Sequence, residues 1–132
     1  MPIEIMEKES RGVIILALSG RLVLGQESSD FRAKVNAVLE ENANYKEKWG
    51  WNPRLVLDLG DLSFVDSSGL GALIAARISA HSRGSEMKLA NLTKSLRDVL
   101  AITKLATVFD LYDSADAAVN SYFPPPPAPA GT

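Results

Sequence analysis

Residues 55–71 read LVLDLGDLSFVDSSGLG, and this stretch decides the fold. It opens with Leu55–Leu59, which is nearly continuous in apolar character, as expected of a strand buried on both faces in the middle of a sheet. It closes in a helix that is predicted to begin near Ser68 and to end at the glycine of His81–Gly84. The apolar positions of this helix are Leu70, Leu73, Ile74 and Ile78. A central strand therefore runs directly into a helix.

The segments before this stretch predict a hairpin and a covering helix. Ile3–Glu7 and Val13–Leu18 are short and rich in β-branched residues, and Glu9–Gly12 between them has the composition of a turn, which indicates an antiparallel pair. From Ser28 onward the apolar period changes to that of a helix. Its predicted inner face is made of Phe31, Val35, Val38 and Leu39.

The segments after it alternate strand and helix. Met87–Leu92 and Val108–Tyr112 are predicted strands, Thr93 is the expected N-cap of the helix between them, and Asp113 or Ser114 caps a last helix. The inner positions of these two helices are Leu96, Val99, Leu100, Ala118, Val119 and Tyr122. The order predicts a single α/β domain whose mixed, mostly parallel sheet opens with a hairpin and packs against about four helices.

Two segments fall outside this alternation. Asn42–Pro53 is longer than most helix-to-strand connections, and its Trp49 and Trp51 are interpreted either as a buried lid or as contact anchors. Residues 124–132 read PPPPAPAGT, and because proline cannot donate a backbone hydrogen bond they predict a disordered, extended tail. The predicted domain is therefore residues 1–123.

Composition bounds the class of protein. A chain of 132 residues with 46% apolar and 23% charged residues is typical of one folded domain. Fourteen basic and sixteen acidic residues leave no basic field for direct binding of nucleic acid, and the absence of cysteine excludes disulfides and thiolate metal sites. The longest apolar run, Val13–Leu18, is far shorter than the roughly 20 residues that span a bilayer. We expect a cytoplasmic protein without membrane insertion.

The sequence contains few of the residues and motifs that an active site requires. His81, the single histidine, falls in the last turn of a predicted helix, where it can offset the helix dipole. Asp66 or Val65 stands where a nucleophile elbow needs glycine, and Gly69–Gly71 lacks the third glycine of a dinucleotide-binding motif. Asp58 and Asp61 could join Asp66 around Mg²⁺, but their positions in a strand and a turn favour a structural role. No catalytic residue, metal or cofactor is predicted.

The strand-to-helix junction is the remaining candidate site. In open α/β sheets, ligands and partners meet the ends of strands and the starts of helices. The residues alone favour a simpler interpretation, in which Asp66, Ser67 or Ser68 caps the helix.

The same stretch resembles the signature of a known family. Leu55–Leu59 followed by Asp66–Gly71 is similar to the motif of STAS domains, named for sulphate transporters and anti-sigma-factor antagonists. Gly20–Leu22, Lys88–Leu92 and Leu96–Leu100 extend the resemblance over residues 3–122. It implies an anti-sigma-factor antagonist that regulates transcription by partner switching, not an enzyme.

The resemblance also implies partners and a site. An anti-sigma factor with serine-kinase activity would phosphorylate Ser67, and a phosphatase would reverse the modification. The implied partner-binding residues are Asp66, Ser67, Ser68, Gly69 and Leu70. Antagonists of the family commonly carry an aspartate where this chain has Val23, so either Ser67 is a poorer substrate or Glu27 supplies the acid.

Two other functions remain open at this point. A STAS accessory subunit of a lipid-transporting ABC system would need no phosphorylation, and Val23 favours it. An enzyme built on Asp66 and Ser67 would need a base and an oxyanion motif that the sequence does not supply.

Overall fold

The computed structural model describes residues 3–123, so the tail predicted over residues 124–132 lies outside the described residues. Five strands form one sheet in the order β1-β2-β3-β4-β5. The first pair is antiparallel and the other three pairs are parallel, which confirms the mixed, mostly parallel sheet and its opening hairpin. The strands are β1 (Glu4–Ser10), β2 (Val13–Leu22), β3 (Arg54–Val65), β4 (Glu86–Ala90) and β5 (Asp110–Tyr112).

Five helices connect and cover these strands. They are α1 (Gln26–Glu41), α2 (Tyr45–Trp49), α3 (Ser67–Ser82), α4 (Lys94–Ile102) and α5 (Ala115–Ser121). The helix that was not predicted is α2, within the long connection before β3. Five residues are too few to show a helical period, and Tyr45, which α2 buries, supplies the tertiary contact that such a short helix requires. Among residues 3–123, no helix combines the length and apolar character needed to cross a bilayer.

The two faces of the sheet carry two apolar clusters. Helices α1 and α3 cover one face with the larger cluster, and the predicted inner side chains of α1 are all buried there. Helix α5 covers part of the other face. The buried side chains of this smaller cluster are Val13, Val56, Ala90, Ala118, Val119 and Tyr122. As predicted, β3 is central and contributes buried residues to both clusters.

An irregularity in β3 divides the strand into two parts that pair with different neighbours. Arg54–Asp58 pairs with β4, whereas Asp61–Val65 pairs only with the end of β2. At the break, the Asp58 carboxylate accepts hydrogen bonds from the Gly60 amide at 3.1 Å and the Asn91 side chain at 3.3 Å. The second half of β3 therefore projects beyond β4 as a two-stranded ribbon that leads to Ser67.

Side-chain caps fix two of the helix starts. Thr93 accepts a hydrogen bond from the Leu96 amide at 3.3 Å, as predicted. Ser114, rather than Asp113, caps α5 by accepting from the Ala117 amide at 3.0 Å. Both caps satisfy amides that would otherwise lack a partner in the first turn.

The apolar spacing in α3 and α4 predicted the wrong face at two positions. Ile78 is 60% exposed and Val99 is 36% exposed. The buried side of α3 consists mainly of small residues: Gly69, Leu70, Ala72, Leu73, Ala76 and Ala80. Because apolar residues occur all around α3, spacing alone cannot select the face that packs on the sheet.

The N-terminal ends of the parallel strands are closed by aromatic rings, which we call the aromatic cluster: Tyr45, Trp49, Trp51, Tyr122 and Phe123. Trp49 stacks on Trp51 with centroids 6.2 Å apart, and Trp51 meets Phe123 at 6.0 Å. The guanidinium of Arg54 lies 4.4 Å from the centre of the Trp51 ring. A Cβ on Gly12, at φ +80°, would come within 3.0 Å of Trp49. Both tryptophans are half-buried in this cluster, so the choice between a buried lid and contact anchors stays a prediction.

Candidate functional site

Ser67 lies at the surface where the projecting ribbon of β3 ends. It is the first residue of α3 and is exposed, whereas the next residue, Ser68, is half-buried. The local sequence explains this position, because Asp66 has extended backbone angles and starts the helix immediately after the strand. The Ser67 hydroxyl is thus presented at a helix N-terminus at the carboxyl edge of the sheet.

Asp66, rather than either serine, is the helix cap. Its Oδ1 accepts from the Gly69 amide at 2.8 Å, and its Oδ2 accepts from the Leu24 amide at 3.0 Å. The Leu24 amide and then the Gly69 amide hold the pKa of Asp66 below its ordinary value, so this carboxylate stays ionised near neutral pH. Asp66 therefore ties the segment after β2 to α3 and leaves the Ser67 hydroxyl out of the cap.

Gly69 allows α3 to approach β2 closely. A Cβ at this position would lie 2.0 Å from the carbonyl oxygen of Leu22, a distance that no side chain can occupy. Leu70 beside it is only 8% exposed. Of the five predicted partner-binding residues, Asp66, Ser67 and Ser68 therefore reach the surface, while Gly69 and Leu70 are buried and fix the position of the helix.

The segment after β2 carries Val23 at the position where the family resemblance implied an aspartate. Val23 is half-buried, and its carbonyl oxygen accepts both the amide of Ser28 at 3.2 Å and the hydroxyl of Ser28 at 2.6 Å. Glu27, the predicted substitute, lies in the first turn of α1 and is half-buried. The local role of the Val23 segment is thus to fix the start of α1.

A groove runs beside the site between α1 and α3. Its volume is about 480 Å³, and it is lined by Ser28, Ser29, Arg32, Ser68 and Gly71, together with Leu24, Gly25 and Ala72. Arg32 is exposed and is the one charged side chain of this lining. The groove beside Ser68 therefore carries a single cationic side chain, and Ser67 itself lies at the start of a helix, where exposed amides favour negative charge.

The other candidate chemical groups lie elsewhere. His81 is at the far end of α3, about 21 Å from Ser67 along the helix axis. Within the described part of the chain, histidine, aspartate and glutamate side chains do not gather in groups of three that could hold a metal ion. The arrangement offers Ser67 an anion-tolerant environment without a neighbouring histidine base.

Comparison with known proteins decides the family. A model of the STAS domain matches residues 4–118. The chain belongs to the STAS domain family. An anti-sigma F factor antagonist from Paenibacillus polymyxa is 28% identical to this STAS domain, over 86% of this chain and 90% of its own length.

Solved structures show that this STAS domain shares its fold with proteins of the same kind. An anti-sigma factor antagonist from Mycobacterium paratuberculosis superposes with a TM-score of 0.71 at 22% identity, covering 90% of this chain and 92% of that one. The Bacillus cell fate determinant SpoIIAA, in its phosphorylated form, superposes with a TM-score of 0.65 at 17% identity, covering 91% and 100%. Proteins named as anti-sigma-factor antagonists thus occur among both the similar sequences and the similar structures.

Proposed function

We propose that this STAS domain is an anti-sigma-factor antagonist of the cytoplasm whose binding to an anti-sigma factor is controlled by phosphorylation of Ser67. The observation that carries the proposal is the exposed Ser67 hydroxyl at the start of α3, outside the cap that Asp66 makes. A serine kinase, which is the anti-sigma factor itself, adds the phosphate, and a phosphatase removes it. The domain is a binding switch without catalytic residues or cofactor.

The fold tolerates the phosphate. A phosphate on the first residue of α3 meets amides of the first turn and the positive end of the helix dipole, both of which favour negative charge. Ser67 is exposed, so the modification displaces no core side chain. The phosphorylated and unmodified chains should therefore have the same structure.

The partner does not tolerate the phosphate. Phosphoserine carries about −1.5 to −2 charges, and docking would desolvate this charge beside the ionised Asp66. Each loss of about 1.4 kcal/mol in binding free energy weakens a complex tenfold. A desolvation penalty of about 3 kcal/mol would weaken the complex about a hundredfold, which suffices for a switch.

Intact-mass analysis tests where the phosphate goes. The purified chain is incubated with ATP and the anti-sigma kinase encoded nearest to it in its genome. We expect one added phosphate on the wild type and on Ser68→Ala, and none on Ser67→Ala. A phosphate that persists on Ser67→Ala would move the site and contradict the proposal.

Calorimetry tests whether charge at Ser67 controls binding. Ser67→Asp should weaken the complex with the anti-sigma factor at least about tenfold relative to Ser67→Ala, because aspartate carries about half the charge of phosphoserine. The thermal midpoints of the two variants should agree closely, since a carboxylate is favourable at a helix start. Equal affinities of the two variants would refute the switch.

Val23 supports a second candidate function. A STAS accessory subunit of a lipid-transporting ABC system would keep the fold but use Ser67 only as a surface residue, and it would need no acid at position 23. The kinase experiment separates the two functions. An accessory subunit would gain no phosphate and would co-purify with a transporter permease.

A further inference from the structure

The aromatic cluster contains two buried hydrogen-bond donors without an acceptor. The indole nitrogens of Trp49 and Trp51 are buried, and neither has a hydrogen-bond partner among residues 3–123. A buried N–H group that is left unpaired destabilises the folded state. Bulk water is a poor source of the acceptor, because both nitrogens are closed to solvent. The acceptor is therefore expected to belong to a segment that packs against the two rings.

The rings follow one another from the point where the described residues end. Phe123 meets Trp51 edge to face, with ring centres 6.0 Å apart, and Trp51 stacks on Trp49 at 6.2 Å. Trp49 in turn meets Tyr45 edge to face at 6.0 Å. Both tryptophans are half-buried, so part of each ring is uncovered. Residue 124 is thus attached at one end of a row of aromatic rings.

The cluster is rich in hydrogen-bond donors. The guanidinium of Arg54 lies 4.4 Å from the centre of the Trp51 ring, and the Lys48 ammonium lies 5.4 Å from that of Trp49. Arg11 lies 4.6 Å from the centre of the Phe123 ring. None of these three cations has a carboxylate within 4.0 Å in the part of the chain that the structure describes. The cluster therefore favours a neutral segment that brings carbonyl oxygens.

Residues 124–132 have the complementary chemistry. They read PPPPAPAGT, without a charged residue, and their prolines bring carbonyl oxygens and apolar rings but no N–H groups. Proline favours the polyproline II helix, which rises about 3.1 Å per residue, so residues 124–127 extend about 12 Å. This length matches the two steps from the Phe123 ring to the Trp49 ring. Proline-rich segments in this conformation bind to surfaces lined by aromatic rings.

From these observations we infer that residues 124–132 bind along the aromatic cluster as an extended strap. The prolines pack against Trp51 and Trp49, and backbone carbonyl oxygens of the strap accept from the two indole N–H groups. The occupant is the chain's own segment, because its attachment at Phe123 gives it an effective concentration that a separate molecule reaches only at about the millimolar level. Proline also has little backbone freedom to lose on binding. The segment that composition alone predicts to be disordered is then extended and held in place.

Tryptophan fluorescence tests the strap, because both tryptophans of the chain lie in this cluster. A variant that ends at Phe123 should emit at longer wavelength than the full chain, and acrylamide should quench it more strongly, since its indole rings are more exposed. Its thermal midpoint should fall by about 4 °C, which corresponds to the loss of about one net hydrogen bond. Emission, quenching and a midpoint equal to those of the full chain would overturn the inference.

Two proline variants of the full chain show where the contact lies. The first combines Pro124→Ser, Pro125→Ser, Pro126→Ser and Pro127→Ser. It should reproduce the change in emission seen on truncation, because it keeps the length of the segment but removes the proline rings. Pro129→Ser is the matched control and should emit like the wild type, because residue 129 would lie about 19 Å beyond Phe123 in a polyproline II helix. The opposite order of effects would overturn the inference.

A double-mutant cycle tests the hydrogen bond to Trp51. Trp51→Phe keeps an aromatic ring but lacks the indole N–H. Truncation after Phe123 should therefore lower the thermal midpoint of Trp51→Phe by less than it lowers that of the wild type. An equal loss in both backgrounds would show that residues 124–132 do not bind this indole, and it would overturn the inference.

Dilution separates the chain's own segment from that of a second copy. The emission of the full chain should stay constant over about a hundredfold dilution, because binding within one chain does not depend on concentration. Sedimentation should give the same oligomeric state with and without residues 124–132. A shift to longer wavelength on dilution, together with loss of a dimer on truncation, would show that the segment crosses to a second copy and would overturn the strap.

Discussion

The two edges of the sheet are held together by different physics. At the carboxyl edge, the hydrogen bonds of one ionised carboxylate, Asp66, join α3 to the segment after β2, and the surrounding Leu24 and Phe64 are 75% and 53% exposed. At the amino edge, the aromatic cluster packs ring on ring, and the Arg54 guanidinium lies within 6 Å of three ring centres. One edge is open, with exposed apolar side chains around an ionised carboxylate, and the other is closed by aromatic rings.

This difference separates the structural end of the domain from the proposed binding end. The closed edge buries the rings of Tyr45 and Tyr122 and half-buries the others, which stabilises the fold. The open edge carries a serine and apolar side chains that no part of the described chain covers. Substitutions at the amino edge should therefore change stability alone, and most substitutions at the carboxyl edge should change binding.

Gly69→Ala should have the largest effect and is the exception at the carboxyl edge. The new methyl group would lie 2.0 Å from the Leu22 carbonyl oxygen, so α3 must shift away from β2. We expect a loss of about 3 kcal/mol in the free energy of unfolding, measured by urea denaturation. Gly71→Ala is the matched control, because a Cβ there meets open space. A stable Gly69→Ala variant would mean that this contact does not position the helix.

Arg54→Ala should have the next largest effect on stability and should leave binding of the anti-sigma factor unchanged. Arg54 donates a hydrogen bond to the Tyr122 carbonyl oxygen at 3.1 Å and stacks on the rings of Trp51 and Phe123. Its removal should cost about 2 kcal/mol of stability. Arg54→Lys should recover part of this loss, because lysine keeps the charge but not the planar fork. Weaker binding of the anti-sigma factor by folded Arg54→Ala would contradict the assignment of stability to the amino edge and of binding to the carboxyl edge.

The amino edge should also lose stability in alkaline solution. Burial, followed by the charge of Glu9, raises the pKa of Tyr45 to about 12, and burial raises the pKa of Tyr122, whose hydroxyl donates to the Leu55 carbonyl at 2.7 Å. Because the folded pKa exceeds the ordinary value of about 10, this stability is present below pH 10 and is lost as pH rises above it.

A pH series of urea midpoints between pH 9 and pH 11.5 measures this loss. Tyr122→Phe should be less stable at neutral pH, since it lacks the hydrogen bond, but should decline less steeply in alkali. An equal slope in the variant and the wild type would exclude Tyr122 as the source of the alkaline effect.

The carboxyl edge should lose stability in acid. This effect should be the smallest of the four predicted here. The pKa of Asp66 is lowered in the folded state, so its contribution is present above the unfolded pKa of about 3.9 and is lost as pH falls below that value. Asp66→Asn should show a smaller drop between pH 5 and pH 3 than wild type. Asp98→Asn, at an exposed aspartate of α4, serves as the control and should fall like wild type.

Local patterns in the sequence were enough to predict the order of all the elements except α2. The run Leu55–Leu59 marks the central strand, the spacing of Phe31 to Leu39 marks the buried face of α1, and Thr93 marks the start of α4. Each of these signals depends on residues within one or two turns of each other, so it can be read along the chain. The position of Ser67 between a strand and a helix belongs to the same class of signal.

Contacts between distant residues decided what the patterns could not. Three candidates in the sequence could cap α3, and Asp66 was selected because the Leu24 amide, 42 residues away, also binds it. Two glycines of one motif had the same appearance, yet Gly69 meets Leu22 and Gly71 meets nothing within 4 Å. The exposure of Ile78 depends on which side of α3 packs against the sheet. The sequence by itself therefore determined every element except α2 and the position of Ser67 between a strand and a helix. The tertiary structure decided the cap of α3, the close approach at Gly69 and the exposed side of α3, because burial and hydrogen bonding are set by neighbours that only folding brings together.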